Sequence, residues 1–459
     1  MRKNNNYLDI SERKILLRIV DVFVLISGLF LGFHFFKTEY IYFNSEEVTK
    51  WLLILVIYFL LFGEIFQLYN LNISNNKFQT VRSVIIATLS TTLFYILTPY
   101  ITPSLPVNRL QILYFFFLIT IPLVIWRLLY ATLFFSKTLY KSIVLVGHSS
   151  KMEYLLKTTK NKGFHKIAAY ISDKKIEGFD NYININDIVL ENILIEKSVN
   201  EMIISTKGFS EEITNQLKLQ LIHLFEEAVN IKSFESFYEE ITFSVPKEYL
   251  TNDFYKYINF STNSDNRLYL FFHRALDILF SSIGIVFFII LIPIIFIGNL
   301  IGNRGAFFYT QERVGKGGKP FEILKLRTMV PTINDGPVWA TKNDHRITSF
   351  GRFLRKTRID EVPQFYNILK GDMSLIGPRP EQSFFISSLE EKIPFYSIRN
   401  VIRPGLTGWA QVNFPYAASI EEQEKKLRYD IYYIKERSLF LDFKILIKTI
   451  STVLFMKGQ

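Results

Sequence analysis

The sequence predicts a membrane protein that also carries α/β domains, and three observations support this fold class. The 459-residue chain is 49% hydrophobic and 16% aromatic, and its mean hydropathy is positive. Several apolar runs approach the ~20 residues that a helix needs to cross a bilayer. Between and after these runs the sequence turns polar and basic, with strand and helix patterns. We therefore expect an α/β membrane protein with a four-helix transmembrane bundle, a Rossmann-like α/β domain, a re-entrant membrane helix hairpin and a small cytoplasmic α+β domain.

Composition and charge narrow the function classes. The chain has no cysteine, which excludes disulfides, thiolate zinc sites and a catalytic thiol. Its formal net charge of +11 suits anionic lipid head groups or phosphate-bearing substrates. Nucleic acid also suits a basic protein, but the basic residues of a membrane protein more often mark its topology. We therefore expect membrane lipid as a partner and no nucleic acid.

Residues 1–136 are predicted to form the transmembrane bundle. Its four apolar segments are Ile19–Phe36, Trp51–Leu68, Val84–Ile101 and Leu110–Trp126. Basic residues precede the first segment, lie between the second and third, and follow the fourth, so the positive-inside rule puts both ends of the bundle in the cytoplasm. Glu64 lies deep in the second segment, where an ionisable group is either functional or a polar contact inside the bundle.

Residues 137–262 are predicted to form a small doubly wound α/β domain. The expected elements are strands at Ser142–Val146, Ile167–Ile171, Glu201–Ser205 and Val229–Phe234 and a helix at Glu211–Glu227. The first strand ends in Gly147-His148-Ser149-Ser150, so the GxGxxG fingerprint of dinucleotide sites is missing. We therefore expect a scaffold or regulatory role of this domain rather than nucleotide binding.

Residues 263–303 contain another long uncharged run. Ile278–Asn303 is long enough to span a bilayer, yet basic residues flank it on both sides, which argues that both of its ends are cytoplasmic. Pro293 removes a backbone hydrogen bond in the middle of this run and can bend the helix back toward its own side. We therefore predict a re-entrant hairpin that breaks at Pro293. An ordinary kinked span is the alternative.

Residues 304–459 are predicted to form the cytoplasmic α+β domain. Gln311–Met329 is typical of two short strands joined by a Gly-Lys-Gly-Gly turn. Alternation places Lys325 and Arg327 on one face, from which both could project toward a phosphate, and a solvated strand face is the alternative. Near the C-terminus, Asp430 is expected to be structural, although it could reach the site. The last apolar stretch is too short to cross and fits an interfacial helix.

An acidic doublet, Asp360-Glu361, lies in a strongly basic stretch of this domain. The cations around it in sequence are Arg352, Arg355, Lys356, Arg358 and Arg379. Because proline is tolerated only near the start of a helix, Pro363 predicts a helix from about Asp360 toward Lys370. Its N-terminus and the arginines would bind phosphate, and the carboxylate pair could hold a divalent cation or attack phosphorus. The alternative is a helix cap beside a solvated basic face.

Six ordered motifs resemble the bacterial sugar transferase family of polyprenyl-phosphate sugar-1-phosphate transferases. They are Gln311-x-Arg313-Val314-Gly315, KLRTM at Lys325–Met329, DHRIT at Asp344–Thr348, GRFLRKTRIDEVPQ at Gly351–Gln364, NILKGDMSLIGPRPE at Asn367–Glu381 and RPGLTGWAQVN at Arg403–Asn413. The resemblance covers about the last 190 residues and is highly specific, because several motifs keep their order. The part before them resembles the long, polytopic branch of the family through weaker motifs.

The resemblance implies transfer of a sugar-1-phosphate, typically of a hexose in the long branch, from a UDP-sugar to undecaprenyl phosphate with release of UMP. This is the first membrane step of capsule, exopolysaccharide or O-antigen synthesis at the bacterial inner membrane. The resemblance implies catalysis by Asp360 and Glu361, with Asp360 as the nucleophile, and Mg²⁺ held near this pair. A homodimer is plausible for the long form. The expected phosphate- and nucleotide-binding residues are Lys325, Arg327, Arg355, Arg379 and Arg313, and the hairpin proline maps onto Pro293.

Some positions depart from the family pattern, and rival functions remain open. The departures are His345 within Asp344-His345-Arg346, Phe414 after Asn413, and Phe440 after Ser438-Leu439. They bear on loop shape and sugar selectivity. A catalytically silent membrane scaffold for glycan assembly is the main rival. A nucleotide-sugar glycosyltransferase normally needs a metal-binding Asp-x-Asp, and the sequence contains none.

Overall fold

The structure is a computed structural model with two compact units, Met1–Phe237 and Tyr238–Gln459. It describes residues 10–36, 40–70, 77–134, 141–162, 165–187, 189–197, 199, 201–226, 229–250, 266–303, 305–330, 346–414, 417 and 419–454. Asp344 of the predicted site loop and the residues after Leu454 lie outside these ranges. The division of the chain into four parts at the boundaries given above stays a prediction.

Four long apolar helices open the first unit. They are α1 (Ile10–Phe36), α2 (Val48–Ile65), α3 (Lys77–Leu97) and α4 (Leu110–Leu129), the last of which continues into a π-helical turn at 130–134. Their aliphatic and aromatic side chains pack around one buried cluster, while many others remain exposed, as lipid-facing side chains are. Each helix is long and apolar enough to cross a membrane. The four predicted apolar segments are therefore confirmed as helices.

Ion pairs join the helices of this first group. Asp21 of α1 and Arg127 of α4 are both fully buried, and Arg127 Nε donates a hydrogen bond to Asp21 Oδ1 at 2.9 Å. Trp126 Nε1 donates to the same oxygen at 3.0 Å. Glu64 of α2 pairs with Arg18 of α1 at 2.8 Å and is about two-fifths exposed. Glu64 thus makes a polar contact inside the group of helices, where an unpaired charge would be costly.

The rest of the first unit is a parallel five-stranded sheet with helices, which agrees with the predicted doubly wound class. The strand order is β3-β2-β1-β4-β5. The strands are β1 (Lys141–Val146), β2 (His165–Ser172), β3 (Tyr182–Asn184), β4 (Glu201–Ile204) and β5 (Asn230–Ser233), and the helices are α5 (Ser149–Lys162), α6 (Leu190–Glu196), α7 (Glu211–Glu226) and α8 (Phe234–Thr242). Asp173 accepts a hydrogen bond from the Ser149 backbone at 2.7 Å. A carboxylate of the chain itself thus occupies the helix N-terminus where dinucleotide sites hold pyrophosphate.

The second unit combines one long apolar helix with short strands and amphipathic helices. The strands are the antiparallel pair β6 (Phe308–Val314) and β7 (Pro320–Leu326) and the parallel pair β8 (Ser374–Ile376) and β9 (Gly405–Thr407). The helices are α9 (Arg267–Gly302), α10 (Ser349–Thr357), α11 (Gln364–Lys370), α12 (Ser383–Lys392), α13 (Trp409–Asn413), α14 (Ile420–Glu436) and α15 (Leu439–Leu454). The predicted hairpin of strands with its glycine-rich turn is confirmed. The core of this unit is apolar and includes Ile323, Ile368, Met373, Tyr433 and Ile445.

The long helix α9 forms most of the segment that is predicted as a re-entrant hairpin. It is one continuous helix of 36 residues with Pro293 in its interior, so the chain has no helix end at Pro293. Proline removes a single backbone hydrogen bond, and an apolar helix tolerates that loss. Both parts of α9 nevertheless contact the same unit, because Arg274 donates to the Ile368 carbonyl at 2.8 Å and Asn303 donates to the Arg327 carbonyl at 2.9 Å. With α9 the chain has five candidate membrane spans among its described residues and is a multi-pass membrane protein. The re-entrant path of α9 stays a prediction.

Candidate active site

The acidic doublet lies in a turn between two helices. Asp360 and Glu361 belong to a single 3₁₀ turn, which follows α10 and precedes α11. Arg358 ends α10 in the left-handed conformation, with φ of 59°. The helix expected from Asp360 begins only at Gln364 and is seven residues long. The predicted helix start is therefore wrong, and the doublet does not lie at a helix N-terminus.

Pro363 explains why the turn does not continue as an α-helix. An α-helix through this segment would need the backbone N–H of residue 363 to bond the Ile359 carbonyl, and proline has no N–H. Instead, Val362 donates to the Ile359 carbonyl at 3.2 Å, which is the tighter 3₁₀ pattern. Both acidic side chains consequently leave one short turn and point into the unit, where Asp360 is 9% and Glu361 is 8% exposed.

Glu361 is the anchor of a cluster of cations. Its Oε1 atom lies 2.7 Å from Arg379 Nη2 and 3.5 Å from Lys325 Nζ, and its Oε2 atom lies 3.5 Å from Arg358 Nη1. Burial alone would raise the pKa of Glu361, but Arg379, Lys325 and Arg358 outweigh it and hold that pKa well below its usual value. Glu361 is therefore ionised throughout the physiological pH range.

Asp360 has the opposite environment. Burial, and next the negative charge of Glu361, raise the pKa of Asp360 to about 6, against the lowering effects of Lys325 and Arg355. The described residues give its Oδ1 atom no hydrogen-bond partner, although this atom is buried. A buried carboxylate oxygen without a donor is unusual, and at neutral pH it offers a negative charge and a free lone pair. The Glu361 oxygens are already paired with cations, whereas Asp360 still has an oxygen that can accept a hydrogen bond or bind a cation.

The strand hairpin supplies two basic residues to the same cluster. Lys325 lies on β7, and burial lowers the pKa of its ammonium group to about 8. Arg313 lies on β6 and donates to the Pro380 carbonyl at 3.1 Å and to Gln311 Oε1 at 2.6 Å. Burial and then the charge of Arg379 lower the pKa of Arg313 to about 10. Both shifts come mainly from burial, and the nearby Arg379 lowers each pKa further.

Arg379 reaches the cluster from a tightly packed segment. Gly377 and Gly405 approach so closely that a Cβ atom on either would overlap the backbone of the other segment. This contact lets β8 and β9 pair and fixes the start of the Pro-Arg-Pro segment (residues 378–380). The Arg379 side chain then donates to Gln411 Oε1 at 3.3 Å as well as to Glu361.

Two other predicted basic residues differ in their placement. Arg355 on α10 donates to Thr328 Oγ1 at 3.0 Å, and its charge acts on Asp360, so it borders the site. Arg327 donates to the Asn303 carbonyl at 3.0 Å, at the end of α9. Lys325 and Arg327 thus have different partners, although the Arg327 backbone still donates to the Phe307 carbonyl at 3.1 Å, just beyond β7. Phosphate binding by Arg327 stays a prediction.

The side chains around the doublet bear on the Mg²⁺ that the family resemblance implies. Among the described residues, no group of three or more His, Cys, Asp or Glu side chains could hold a metal ion. Mg²⁺ usually takes only one or two protein carboxylates and completes its shell with water and substrate phosphate. The free, buried Oδ1 atom of Asp360 suits that role, whereas the oxygens of Glu361 are already paired. The carboxylates present therefore fit Mg²⁺, with Asp360 as the residue that would bind it.

Sequence reasoning missed a second buried charge cluster behind Arg379. Its members are Glu381, Arg399, Lys426 and Asp430, and each is largely buried and ion-paired with another. A signal was present in α14, where Lys426 and Asp430 lie four residues apart on the same buried face as Leu427 and Ile431. Charged residues repeated on an apolar helix face indicate a buried ion pair.

Comparisons with known proteins match the part of the chain that contains this site. A family model described as bacterial sugar transferase matches residues 268–456, which include all six motifs. A relative from Aeromonas hydrophila, named UDP-N-acetylgalactosamine-undecaprenyl-phosphate N-acetylgalactosaminephosphotransferase, is 45% identical over 188 residues, 41% of this chain and 44% of the relative. A Klebsiella pneumoniae relative named UDP-glucose:undecaprenyl-phosphate glucose-1-phosphate transferase is 37% identical over 188 residues, 40% of each chain.

A third relative is covered over most of its length. It comes from Caulobacter vibrioides, has the same name as the Klebsiella protein, and is 39% identical over 185 residues, 39% of this chain and 69% of the relative. The chain thus spans less than half the length of the first two relatives and about two thirds of the third. Together with the ordered motifs and the clustered Asp360, Glu361, Lys325 and Arg379, these matches show that the chain belongs to the bacterial sugar transferase family.

Proposed function

We propose that this chain transfers a sugar-1-phosphate from a UDP-sugar to undecaprenyl phosphate, giving undecaprenyl-diphosphate-sugar and UMP. One observation carries the proposal. Two adjacent buried acids have separate environments, with Glu361 paired to cations and Asp360 retaining a free oxygen. The names of the relatives describe this class of reaction. The sugar is proposed to be a hexose or its 2-acetamido derivative, since both occur in those names.

Asp360 is proposed as the nucleophile. A carboxylate needs no general base, and a pKa of about 6 leaves Asp360 mainly ionised at neutral pH. One Asp360 oxygen attacks the sugar-bearing phosphorus and forms a P–O bond, while the bond from that phosphorus to the UMP oxygen breaks and UMP leaves. An oxygen of the lipid phosphate then attacks the same phosphorus. The diphosphate lipid forms, and Asp360 departs as a carboxylate.

The cations are proposed to stabilise the negative charge that develops on the transferred and leaving oxygens. Lys325, Arg379 and Arg313 are already gathered at the doublet, so little reorganisation is needed during the reaction. Glu361 holds Lys325 and Arg379 in place. When bound, Mg²⁺ neutralises phosphate oxygens as a Lewis acid, and Asp360 is the residue that would hold it.

The membrane setting suits a lipid acceptor. We propose that the second unit lies on the cytoplasmic side of the inner membrane and that α9 re-enters from that side, because basic residues flank α9 at both ends. The product would begin a capsule, exopolysaccharide or O-antigen chain. A homodimer stays a prediction.

Release of UMP tests the proposal. Purified protein would be incubated with undecaprenyl phosphate, Mg²⁺ and, in turn, UDP-glucose, UDP-galactose and UDP-N-acetylgalactosamine. We expect UMP with one of these donors, its loss in Asp360→Asn, and its retention in the control Asp372→Asn, whose carboxylate pairs with Lys370 at 3.0 Å. Full activity of Asp360→Asn would contradict the mechanism. No UMP from any donor would favour the silent scaffold.

A further inference from the structure

The backbone of the Pro-Arg-Pro segment is held by its carbonyl groups. Three successive carbonyls each accept a hydrogen bond, from the Gly405 backbone to Pro378 at 2.8 Å, from Arg399 to Arg379 at 3.0 Å and from Arg313 to Pro380 at 3.1 Å. Two of the residues in this segment are prolines and have no N–H to donate. Its conformation therefore depends on these outside donors.

Arg399 donates to the backbone carbonyl of Arg379, the residue whose side chain pairs with Glu361 of the doublet. It belongs to a 3₁₀ turn at 396–401 and is 3% exposed. Its guanidinium lies 2.9 Å from Asp430 and 3.1 Å from Glu381, while it also donates to the Arg379 carbonyl. A planar guanidinium can meet three acceptors at once, which a lysine ammonium on a flexible stem does less well.

The surrounding charges keep this arrangement together. Lys426 pairs with Glu381 at 2.8 Å, so two acids and two bases balance in one buried cluster. Burial alone would raise the pKa of Glu381, but Lys426 and Arg399 hold that pKa well below its ordinary value. A buried guanidinium is tolerated only when it is paired in this way.

We propose that Arg399 is a positioning residue, which fixes the Arg379 backbone so that the Arg379 guanidinium stays against Glu361. The inference rests on the proposed function and deepens it, because it names a residue on which the site depends without touching substrate. The opposing interpretation is that the cluster only joins the turn at 396–401 to α14 and stabilises the fold.

The two interpretations differ in their effect on Arg379. If Arg399 positions Arg379, its replacement lets the Arg379 guanidinium move away from Glu361, from which it now lies 2.7 Å. A displaced cation stabilises the charge that develops in the transition state less well, so kcat falls while the KM for the UDP-sugar changes little. A purely structural role would lower the melting temperature and leave the kcat of the folded protein unchanged.

Arg399→Lys and Arg428→Lys form a matched pair of variants. Arg428 is also a buried arginine, on α14, but its hydrogen bonds go to the Val245 carbonyl at 2.7 Å and to the Tyr238 hydroxyl. Both variants are assayed well below their melting temperatures. For Arg399→Lys we expect a fall in kcat of about tenfold or more, with a KM close to that of the wild type. For Arg428→Lys we expect a lower melting temperature with the kcat of the wild type. Equal losses of kcat in both variants would overturn the proposal.

A second measurement does not depend on turnover. Phenylglyoxal labels accessible arginine side chains, and mass spectrometry locates the label on Arg379. In Arg399→Lys the labelling of Arg379 should be faster than in the wild type or in Arg428→Lys, because its guanidinium is held less firmly against Glu361. If the wild type releases no UMP, the proposed function fails, and this labelling alone decides. Faster labelling in Arg399→Lys alone would still support positioning, and identical labelling in all three proteins would refute it.

Discussion

At the scale of single residues, the doublet shows how neighbours in sequence acquire opposite properties. Glu361 is surrounded by Arg379, Lys325 and Arg358, so its charge stabilises the folded unit. Asp360 is buried beside that charge and lacks a donor for Oδ1, so its own charge costs stability. A reactive group with unsatisfied acceptor capacity is typical of a site that pays in stability for function.

The first prediction is that the two acids affect stability with opposite signs. The pKa of Asp360 is about 6 in the folded protein against 3.8 ordinarily, so its ionisation destabilises the fold above that range. Asp360→Asn should therefore stabilise the second unit by about 1–3 kcal/mol at pH 7.5 and have little effect at pH 4. Glu361→Gln should destabilise it at pH 7.5, because Arg379 and Lys325 lose their partner. Thermal unfolding in detergent would measure both, and the same sign for both variants would contradict this account.

The second prediction concerns the pH dependence of turnover. If ionised Asp360 attacks phosphorus, activity should rise with pH through about 6, the pKa to which burial and Glu361 raise this carboxyl. Glu361, whose pKa is held low, should add no second step in this range. The measurement is kcat/KM for UMP release between pH 5 and 8. A profile that is flat across this range would show that Asp360 is not the titrating group.

Single residues also show what sequence could predict. Lys325, Arg355 and Arg379 border the doublet as expected, because ordered motifs bring together residues that are far apart in the chain. Arg327 donates to the end of α9, a contact that no strand pattern contains. The α14 pattern marks Lys426 and Asp430 as buried, but it does not say that α14 packs against the turn at 396–401, so the partners of Arg399 do not follow from it.

At the scale of elements, the packing of α10 against the end of α9 positions α10. Phe350 of α10 fills the space above Gly298 and Gly302 of α9, and a Cβ atom on Gly302 would lie 2.6 Å from the Phe350 Cβ. Thr348 caps α10 by accepting a hydrogen bond from the Gly351 backbone at 2.8 Å. Because α10 carries Arg355 and leads directly into the doublet, the end of α9 sets the position of the site.

The third prediction tests this contact between α9 and α10. Gly302→Val places its Cβ atom against the Phe350 Cβ, which is too near the backbone of α10 for a rotamer change to relieve the overlap. We expect α10 to shift and UMP release to fall by about ten- to a hundredfold, since a displacement of about 1 Å at a reacting centre can cost that much. The control is Ile301→Val, at a position that is 74% exposed. Normal activity of Gly302→Val would show that α10 is positioned by other contacts.

Elements also mark where sequence reasoning fails. The apolar helices, the sheet strands and the glycine-rich hairpin follow from hydrophobic period and turn residues, and the structure has them. Pro293 and Pro363 were both read as helix boundaries. Pro293 lies inside a continuous helix, whereas Pro363 immediately precedes the later start of α11. A proline removes one donor, and the packing around it decides whether a helix continues.

At the scale of the whole molecule, the path of α9 through the membrane decides on which side the second unit lies. Hydropathy identifies apolar helices but does not tell on which side of the membrane each end lies. It therefore does not distinguish a full span from a re-entrant path. Basic residues flank both ends of α9, and its two ends contact the same unit through Arg274 and Asn303. Both observations favour a second unit that stays on one side.

The fourth prediction is a topology experiment that uses the absence of native cysteine. In intact cells a membrane-impermeant maleimide should label Glu46→Cys, an exposed site in the loop between α1 and α2. Ala306→Cys, exposed just after α9, should be labelled only after the membrane is made permeable. Labelling of Ala306→Cys in intact cells would mean that α9 spans the membrane and that the second unit lies outside.

The central claim is that Asp360 becomes covalently attached to the sugar phosphate, and peptide mass spectrometry tests it most directly. The protein would be incubated with the UDP-sugar that supports turnover and Mg²⁺, without undecaprenyl phosphate, then quenched in acid and digested. The account predicts a peptide whose mass has increased by one sugar phosphate on Asp360, absent from Asp360→Asn and discharged when the lipid acceptor is added. An enzyme that releases UMP at its normal rate with lipid present, yet never carries sugar phosphate on Asp360, would contradict it.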